Sequence, residues 1–321
     1  MGDIRARDKV AGACLLGVGT YQPDAELDNE ELGTRFGRTA QWVRSRTGMD
    51  SRRIAAEHET LHSMSAAAAR RALDASGVEA SQLGLVIVAS CTNANPVAPV
   101  ATTTAAALGA ERAGAFDLNS ACAGFCYALT LAADTVCTGS ARYVLVVGAE
   151  RMSGWIDRDD LGTSIIFGDG AGAVVVGGTQ RQGIGRVAWG SDGSKSSLIR
   201  IDGAEGHMRM DGQSVFRWAT TQVAPTALKA CEQAGVQPEE LAAVVPHQAN
   251  LRIVDALAQR IGARNAVVAR DGTHSGNTSA ASIPIALHRL IRTEAVTPGD
   301  LALLIGYGAG LTYAAQVIRI P

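Results

Sequence analysis

At 321 residues the chain is long enough for two domains or one large α/β body, and 47% apolar against 19% charged residues predicts a sizeable core. A net charge of −2, with no Lys/Arg block or basic stripe, argues against nucleic acid as a partner. No apolar run approaches the ~18 residues that a membrane span needs, so no membrane partner is expected.

The first ten residues, MGDIRARDKV, carry charges where a signal peptide needs an apolar core. Gly2 follows Met1, but position 6 is Ala6 and not Ser or Thr, so no myristoylation signal is read. Six cysteines, at 14, 91, 122, 126, 137 and 231, lie scattered without paired spacing. Neither a disulfide framework nor a zinc or other metal site is expected, and the protein reads as cytoplasmic with reduced thiols.

Further along, Ala72-Leu73-Asp74-Ala75-Ser76-Gly77-Val78 reads as an amphipathic helix with a glycine stop. A short loop, the buried strand 85–88 and the polar Cys91-Thr92-Asn93 follow. Residues 115–118 then lead into an apolar helix over 125–136, and a late strand covers 143–147. The same succession returns at a constant offset of 158 (Ala72 against Ala230). Its second copy runs through Ala230 to Val236, the strand 243–245, the polar His247-Gln248-Ala249-Asn250, a helix near Ile283 and the strand 301–305. A repeat of this size predicts two similar α/β halves, 1–180 and 181–321, with a boundary near 175–185. The site is expected at the strand ends between them.

Three chemically distinctive residues fall at equivalent strand ends or helix starts. Cys122, in Asn119-Ser120-Ala121-Cys122-Ala123-Gly124-Phe125, opens a helix, where unpaired N–H groups and the positive dipole end favour thiolate. A thiolate there can attack a carbonyl and carry an acyl group as a thioester. The plain alternative, a buried structural cysteine, fits Cys14, Cys126 and Cys137. His247 directly follows a buried strand and is otherwise a satisfied histidine at a domain edge. Asn277, in Gly276-Asn277-Thr278-Ser279, is otherwise an ordinary helix cap. Gly306-Tyr307-Gly308-Ala309-Gly310 can aim N–H groups at an oxyanion or merely turn the chain. The glycine-rich 167–173 lacks the spacing and the downstream acid of a dinucleotide loop, so NAD is not expected.

Residues 119–125, 167–173, 245–250, 276–282 and 306–312, in that order, together resemble the 3-oxoacyl-acyl-carrier-protein synthase III (ketoacyl synthase III) family of the thiolase superfamily. Residues 42–48 and 52–55 extend the resemblance to nearly the whole chain. It implies a thiolase-like duplicated five-layered α/β/α/β/α fold, a homodimer and no resident cofactor, with acyl-CoA and malonyl-acyl-carrier-protein as substrates. It also implies that Cys122 takes an acyl primer and that the carbanion left by malonyl decarboxylation attacks the acyl-Cys122 thioester. His247 and Asn277 then serve as neutral donors to the developing oxyanion. The resemblance assigns the oxyanion hole of acyl transfer to the N–H groups of Cys122 and Gly310. It places Trp42, Arg46, Phe167, Gly212, Phe216 and Asn250 along the CoA or phosphopantetheine channel. Arg252 is assigned to the acidic carrier protein.

Two departures from the family pattern concern specificity. Leu161 stands where many relatives carry an arginine that helps Trp42 grip adenine, and Leu cannot replace a stacking, phosphate-pairing guanidinium. Weaker CoA binding, or a primer delivered on a carrier protein, is the expectation. Ala98 precedes Pro99 where relatives restricted to short primers often carry a bulky aromatic, which implies a deeper pocket and longer or branched primers. Leu311 replaces a frequent aromatic.

Other functions stay in view. A priming acyltransferase of a specialised-metabolite pathway needs the same Cys122. A hydroxymethylglutaryl-CoA synthase lacks support, because no matching general-base Glu is evident. A papain-like cysteine peptidase shares the order Cys, His, Asn but not the surround of its cysteine or the duplication. A non-catalytic carrier-protein binding module has no need of all three polar residues.

Overall fold

The computed structural model describes residues 9–95, 97–201 and 206–321. The N-terminal reading at Gly2 and Ala6 lies outside them. Ten strands form two five-stranded sheets with the same internal plan. In spatial order the first is Gly12–Tyr21, Asp169–Thr179, Tyr143–Arg151, Leu83–Ala89 and Gly114–Leu118. The second is Ala188–Ser191, Thr312–Arg319, Leu301–Gly308, Ala243–Pro246 and Val267–Val268. In each, the last three strands run parallel and the first two pairings are antiparallel.

Helices Leu61–Ser76 and Val100–Leu108 cover the outer face of the first sheet, and Gly212–Ala234 and Leu251–Ile261 that of the second. Between the sheets lie Gly124–Cys137 and Ser282–Arg292. These five layers are the α/β/α/β/α fold that the resemblance implied. The inner helices face apolar strands on two sides, which is why Phe125, Leu129, Ile283 and Leu287 are all fully buried. Removing each such side chain from water contributes roughly 1.5–3 kcal/mol. Buried on both faces, the strands read as apolar runs without alternation, as in Leu145, Val146 and Val147. Close approach of helix to strand is set by small residues. A Cβ at Gly19 would lie 2.2 Å from the backbone N of Ala72.

The duplication extends to the turns. Gly77 and Gly235 both close their helices in the left-handed conformation, at φ 66°. Each is followed by a short 3-10 turn with a reciprocal capping box, Glu79 with Gln82 and Gln237 with Glu240. Ala121 and Ser279, 158 residues apart, both sit at positive φ (45° and 47°) and open the 3-10 turns before the inner helices. Cys122 is therefore the middle residue of a 3-10 turn, and the regular helix begins at Gly124.

Candidate active site

The inner helices start at the strand ends of both sheets, and this brings residues from the two halves to one cavity of about 800 Å³. Cys122, His247 and Asn277 all line it. The Cys122 turn is held by Asn119, whose Oδ1 accepts the Ala121 N–H at 3.0 Å. Thr312 Oγ1 donates to the Ser120 carbonyl at 3.1 Å, tying the same turn to the second half.

His247 is 1% exposed, at the end of strand Ala243–Pro246. Its N–H donates to the Ile305 carbonyl at 2.7 Å, and its own carbonyl accepts the Tyr307 hydroxyl at 3.1 Å. The Tyr307 ring packs edge-on at 5.2 Å. Nδ1 lies 2.7 Å from Ser282 Oγ, which also accepts the Gln248 N–H at 3.4 Å. Gln248 N–H can only donate, so among the described contacts Nδ1 is the one acceptor open to the Ser282 O–H, and this network assigns the ring proton to Nε2. Burial holds the imidazole pKa down at about 3, so the ring is neutral at physiological pH.

Asn277 is 4% exposed. Its backbone is pinned on both sides, N–H to the Ile166 carbonyl at 2.9 Å and carbonyl to the Gly168 N–H at 3.0 Å. Side-chain Oδ1 accepts the Ser279 N–H at 2.9 Å, which fixes the amide's orientation and leaves Nδ2 as its donor edge. His247 and Asn277 thus each present a neutral N–H donor.

The thiol differs from the sequence expectation. Burial pushes the Cys122 pKa up to about 12, and the Glu150 carboxylate adds to the rise. The Ser279 hydroxyl and the backbone N–H groups of Cys122 and Ala309 oppose it without winning. Desolvation outweighs the helix-end field, so the resting form is the neutral thiol.

The second half supplies the opposite wall. A Cβ on Gly308 would lie 2.7 Å from Cys122 Cβ and 3.0 Å from Sγ, so only glycine fits there. Gly310, expected to supply the second oxyanion N–H, is exposed and off the cavity wall. Its φ of 121° turns the chain away, and Ala309 takes its place beside the sulfur.

Arg46, Phe167, Gly212, Phe216 and Asn250 line the cavity as expected from the resemblance, with Arg252 at its edge over the Phe216 ring at 5.5 Å. Asn250 Oδ1 also caps the following helix, and its Nδ2 donates to the Arg46 carbonyl at 3.0 Å. Trp42 stands just off the wall, with the guanidinium groups of Arg38 and Arg46 each 5.3 Å from its ring. Leu161 packs in the same small cluster as Trp42, also off the wall. Ala98 is not brought to this cavity. It lies in an exposed loop, where its carbonyl accepts Asn93 Nδ2 at 3.2 Å. A deeper floor within one chain therefore does not follow from Ala98. The run 167–173 leads straight into strand Asp169–Thr179, not into a helix. Its Gly168 admits the Ser275 carbonyl, 2.3 Å from where a Cβ would stand.

Sequence reasoning passed over Ser282, Ser279, Tyr307, Ala309 and Glu150. Of these, Ala309 carried a signal as a member of the 306–310 loop and Glu150 as an acid near the end of an apolar strand.

Fold and site together define a thiolase-like acyltransferase with a cysteine in its central cavity. Residues 231–320 match the family described as 3-oxoacyl-[acyl-carrier-protein (ACP)] synthase III C terminal, and residues 116–193 match 3-oxoacyl-[acyl-carrier-protein (ACP)] synthase III. Beta-ketoacyl-[acyl-carrier-protein] synthase III of Streptomyces lividans is 47% identical over 96% of this chain and 94% of its own. The mycobacterial beta-ketoacyl-[acyl-carrier-protein] synthase III of Mycobacterium avium (strain 104) is 44% identical over 100% and 99%. Among solved structures, the priming beta-ketosynthase from the R1128 polyketide biosynthetic pathway superposes with a TM-score of 0.96 at 45% identity, covering 100% of this chain and 99% of that one. A 3-oxoacyl-[acyl-carrier-protein] synthase III from Aquifex aeolicus VF5 gives 0.91 at 39%, over 96% and 100%. The chain belongs to the 3-oxoacyl-acyl-carrier-protein synthase III family and is an acyl-transferring condensing enzyme.

Proposed function

We propose that the protein starts fatty-acid or polyketide chains by joining an acyl primer, held on Cys122, to malonyl-acyl-carrier-protein with loss of CO2. One observation carries this reading: a thiol and two neutral donors, His247 Nε2–H and Asn277 Nδ2–H, meet in one cavity. In the first step the Cys122 sulfur attacks the acyl-CoA carbonyl, the N–H groups of Cys122 and Ala309 hold the oxyanion, and the thiol hydrogen ends on the departing CoA sulfur. In the second, the malonyl thioester loses CO2 and negative charge grows on its carbonyl oxygen. Two uncharged donors stabilise that charge without transferring a proton to it. The carbanion then attacks the acyl-Cys122 thioester carbonyl, the C–S bond breaks, and the released Cys122 thiolate takes a proton from solvent.

A papain-like arrangement needs an asparagine that orients the histidine. Here Ser282 holds His247, and Asn277 is held by Ser279, which disfavours a peptidase. A priming acyltransferase that does not condense shares the first step and is separated by its products.

No resident cofactor is needed, because acyl-CoA and the carrier-bound malonyl group enter and leave as substrates. Arg38 and Arg46 on Trp42 offer phosphate partners that Leu161 does not, and Arg252 offers its charge to an acidic carrier. A cytoplasmic location suits these substrates. Among the described residues, no helix is long and apolar enough to cross a membrane. A homodimer is proposed through the edge strand Gly114–Leu118, which pairs on one side only and leaves Phe116 38% exposed. The loop carrying Ala98 hangs from this strand, Asn93 Nδ2 donating to Asp117 at 3.1 Å, so such a dimer brings it to the two-fold.

The test is intact mass after incubation with acyl-CoA and acyl-carrier primers, followed by malonyl-acyl-carrier-protein. A mass gain lost in Cys122→Ala, then release of a 3-oxoacyl product, is expected. Acylation without a condensation product leaves the acyltransferase reading, and no acylation by any thioester ends both.

A further inference from the structure

Glu150 is the penultimate residue of strand Tyr143–Arg151 and has no exposed surface, and among the described residues no cation pairs with it. A carboxyl group in such a place is costly unless hydrogen bonds replace its water. Its donors come from two turns that frame the nucleophile. From the first half, Ser90 Oγ donates to Oε2 at 3.1 Å, Thr92 Oγ1 to Oε2 at 2.6 Å and the Cys91 N–H to Oε1 at 3.1 Å. From the second half, Ser279 Oγ donates to Oε1 at 2.9 Å. The Cys91 thiol completes the set at 3.4 Å.

Ser279 is where this clasp meets the chemistry. It is fully buried in a left-handed conformation that serine seldom adopts, at φ 47°. The same residue donates its N–H to Asn277 Oδ1 and thereby sets the direction of Asn277 Nδ2. Nothing in the acylation step requires that direction.

We propose that Glu150 is a positioning residue for condensation, its carboxylate holding Ser279 in the turn that aims the Asn277 amide into the cavity. The proposal rests on Asn277 being a donor to the malonyl-derived oxyanion. Several donors converge on its two oxygens, one of them the immovable Cys91 N–H. An amide at this position replaces one acceptor with a donor, so the isosteric Glu150→Gln breaks the set without opening a cavity.

The experiment separates the two half-reactions in single turnovers. Acylation of Cys122 by acyl-CoA is followed by quenched intact mass. Condensation is followed by mixing pre-acylated enzyme with malonyl-acyl-carrier-protein. Glu150→Gln is expected to slow condensation of the pre-acylated enzyme by roughly tenfold or more against the native rate, whatever its effect on acylation, because Glu150 also acts on the free Cys122 thiol. Ser279→Ala, which removes the anchor, is expected to slow condensation of the pre-acylated enzyme in the same way. The double variant is expected to be no worse than the poorer single one. Unchanged condensation or additive effects overturn the proposal. Should Glu150→Gln fail to fold, Ser279→Ala decides by the condensation rate of the pre-acylated enzyme. Asn277→Ala is run alongside. If it condenses normally, the reading of the site fails; if it is impaired while Glu150→Gln is not, only the role of Glu150 fails.

Discussion

Gly308→Ala puts the packing of the nucleophile to a direct test. Gly308 has φ 177°, an extended conformation open to any residue, so the substitution adds contact and no backbone strain. The new Cβ lies 2.7 Å from Cys122 Cβ, 3.0 Å from its Sγ and 3.1 Å from its N. Ordinary carbon contacts are about 3.5–4.0 Å, so the overlap is roughly 1 Å. Cys122 cannot escape by changing rotamer, because its backbone and its first side-chain atom are both struck. The turn must move, at a stability cost of about 1–3 kcal/mol for overpacking. A displacement of about 1 Å takes the sulfur off its approach to the thioester carbonyl and lowers acylation by roughly 10²-fold. Rapid-quench mass spectrometry with acyl-CoA gives the rate, and a thermal melt gives the stability. A folded variant that acylates within about threefold of the native rate would refute the contact argument.

Other outcomes follow from the same geometry. Because burial raises the Cys122 pKa to about 12, its alkylation by iodoacetamide is expected to climb about tenfold per pH unit from pH 7 to 10. A plateau below pH 9 contradicts a neutral resting thiol. His247 is held near pKa 3 in the folded chain and returns to its ordinary value on unfolding, so the unfolded state binds the extra proton between those values. Its contribution to stability is whole above about pH 6.5 and is lost as pH falls towards 3, and urea titrations of His247→Gln should show a shallower acid loss by up to one proton. Phe116→Asp places a charge on the exposed edge strand. Analytical ultracentrifugation should report the proposed dimer for the parent and a monomer for the variant; a monomeric parent ends the homodimer proposal, and an undisturbed dimer moves the interface elsewhere.

How far the site was legible depended on whether residue type or residue surroundings decided the role. Cys122, His247 and Asn277 were found because a repeat set strand ends and helix starts in register, and their chemistry marked them within it. Ala309 was passed over for Gly310 because glycines draw attention, whereas any residue except proline offers a backbone N–H. Which one faces the sulfur is settled by a turn that sequence does not display. The acidity of Cys122 was misjudged for a related reason. The helix start is visible in the pattern, but the wall built by Gly308, over 180 residues away, is not. Ala98 was placed by analogy along the chain, and its loop hangs on the sheet edge, away from its own chain's cavity. Glu150 was readable in principle, as a lone acid after Val144, Leu145, Val146 and Val147.

The paired turns at Ala121 and Ser279 bear on ancestry and on design. Position 280 is the counterpart of Cys122, and it holds an alanine with no exposed surface. The Ala280 carbonyl lies 2.3 Å from where a Cβ on Gly148 would stand. The two turns have thus taken unlike parts, one offering a thiol to the cavity and the other an Ala280 walled in behind the Ser279 that lines it. Inserting a cysteine at 280 would therefore create a thiol with no route for substrate. Within the pseudo-symmetric body, the second turn serves as the scaffold that aims the first.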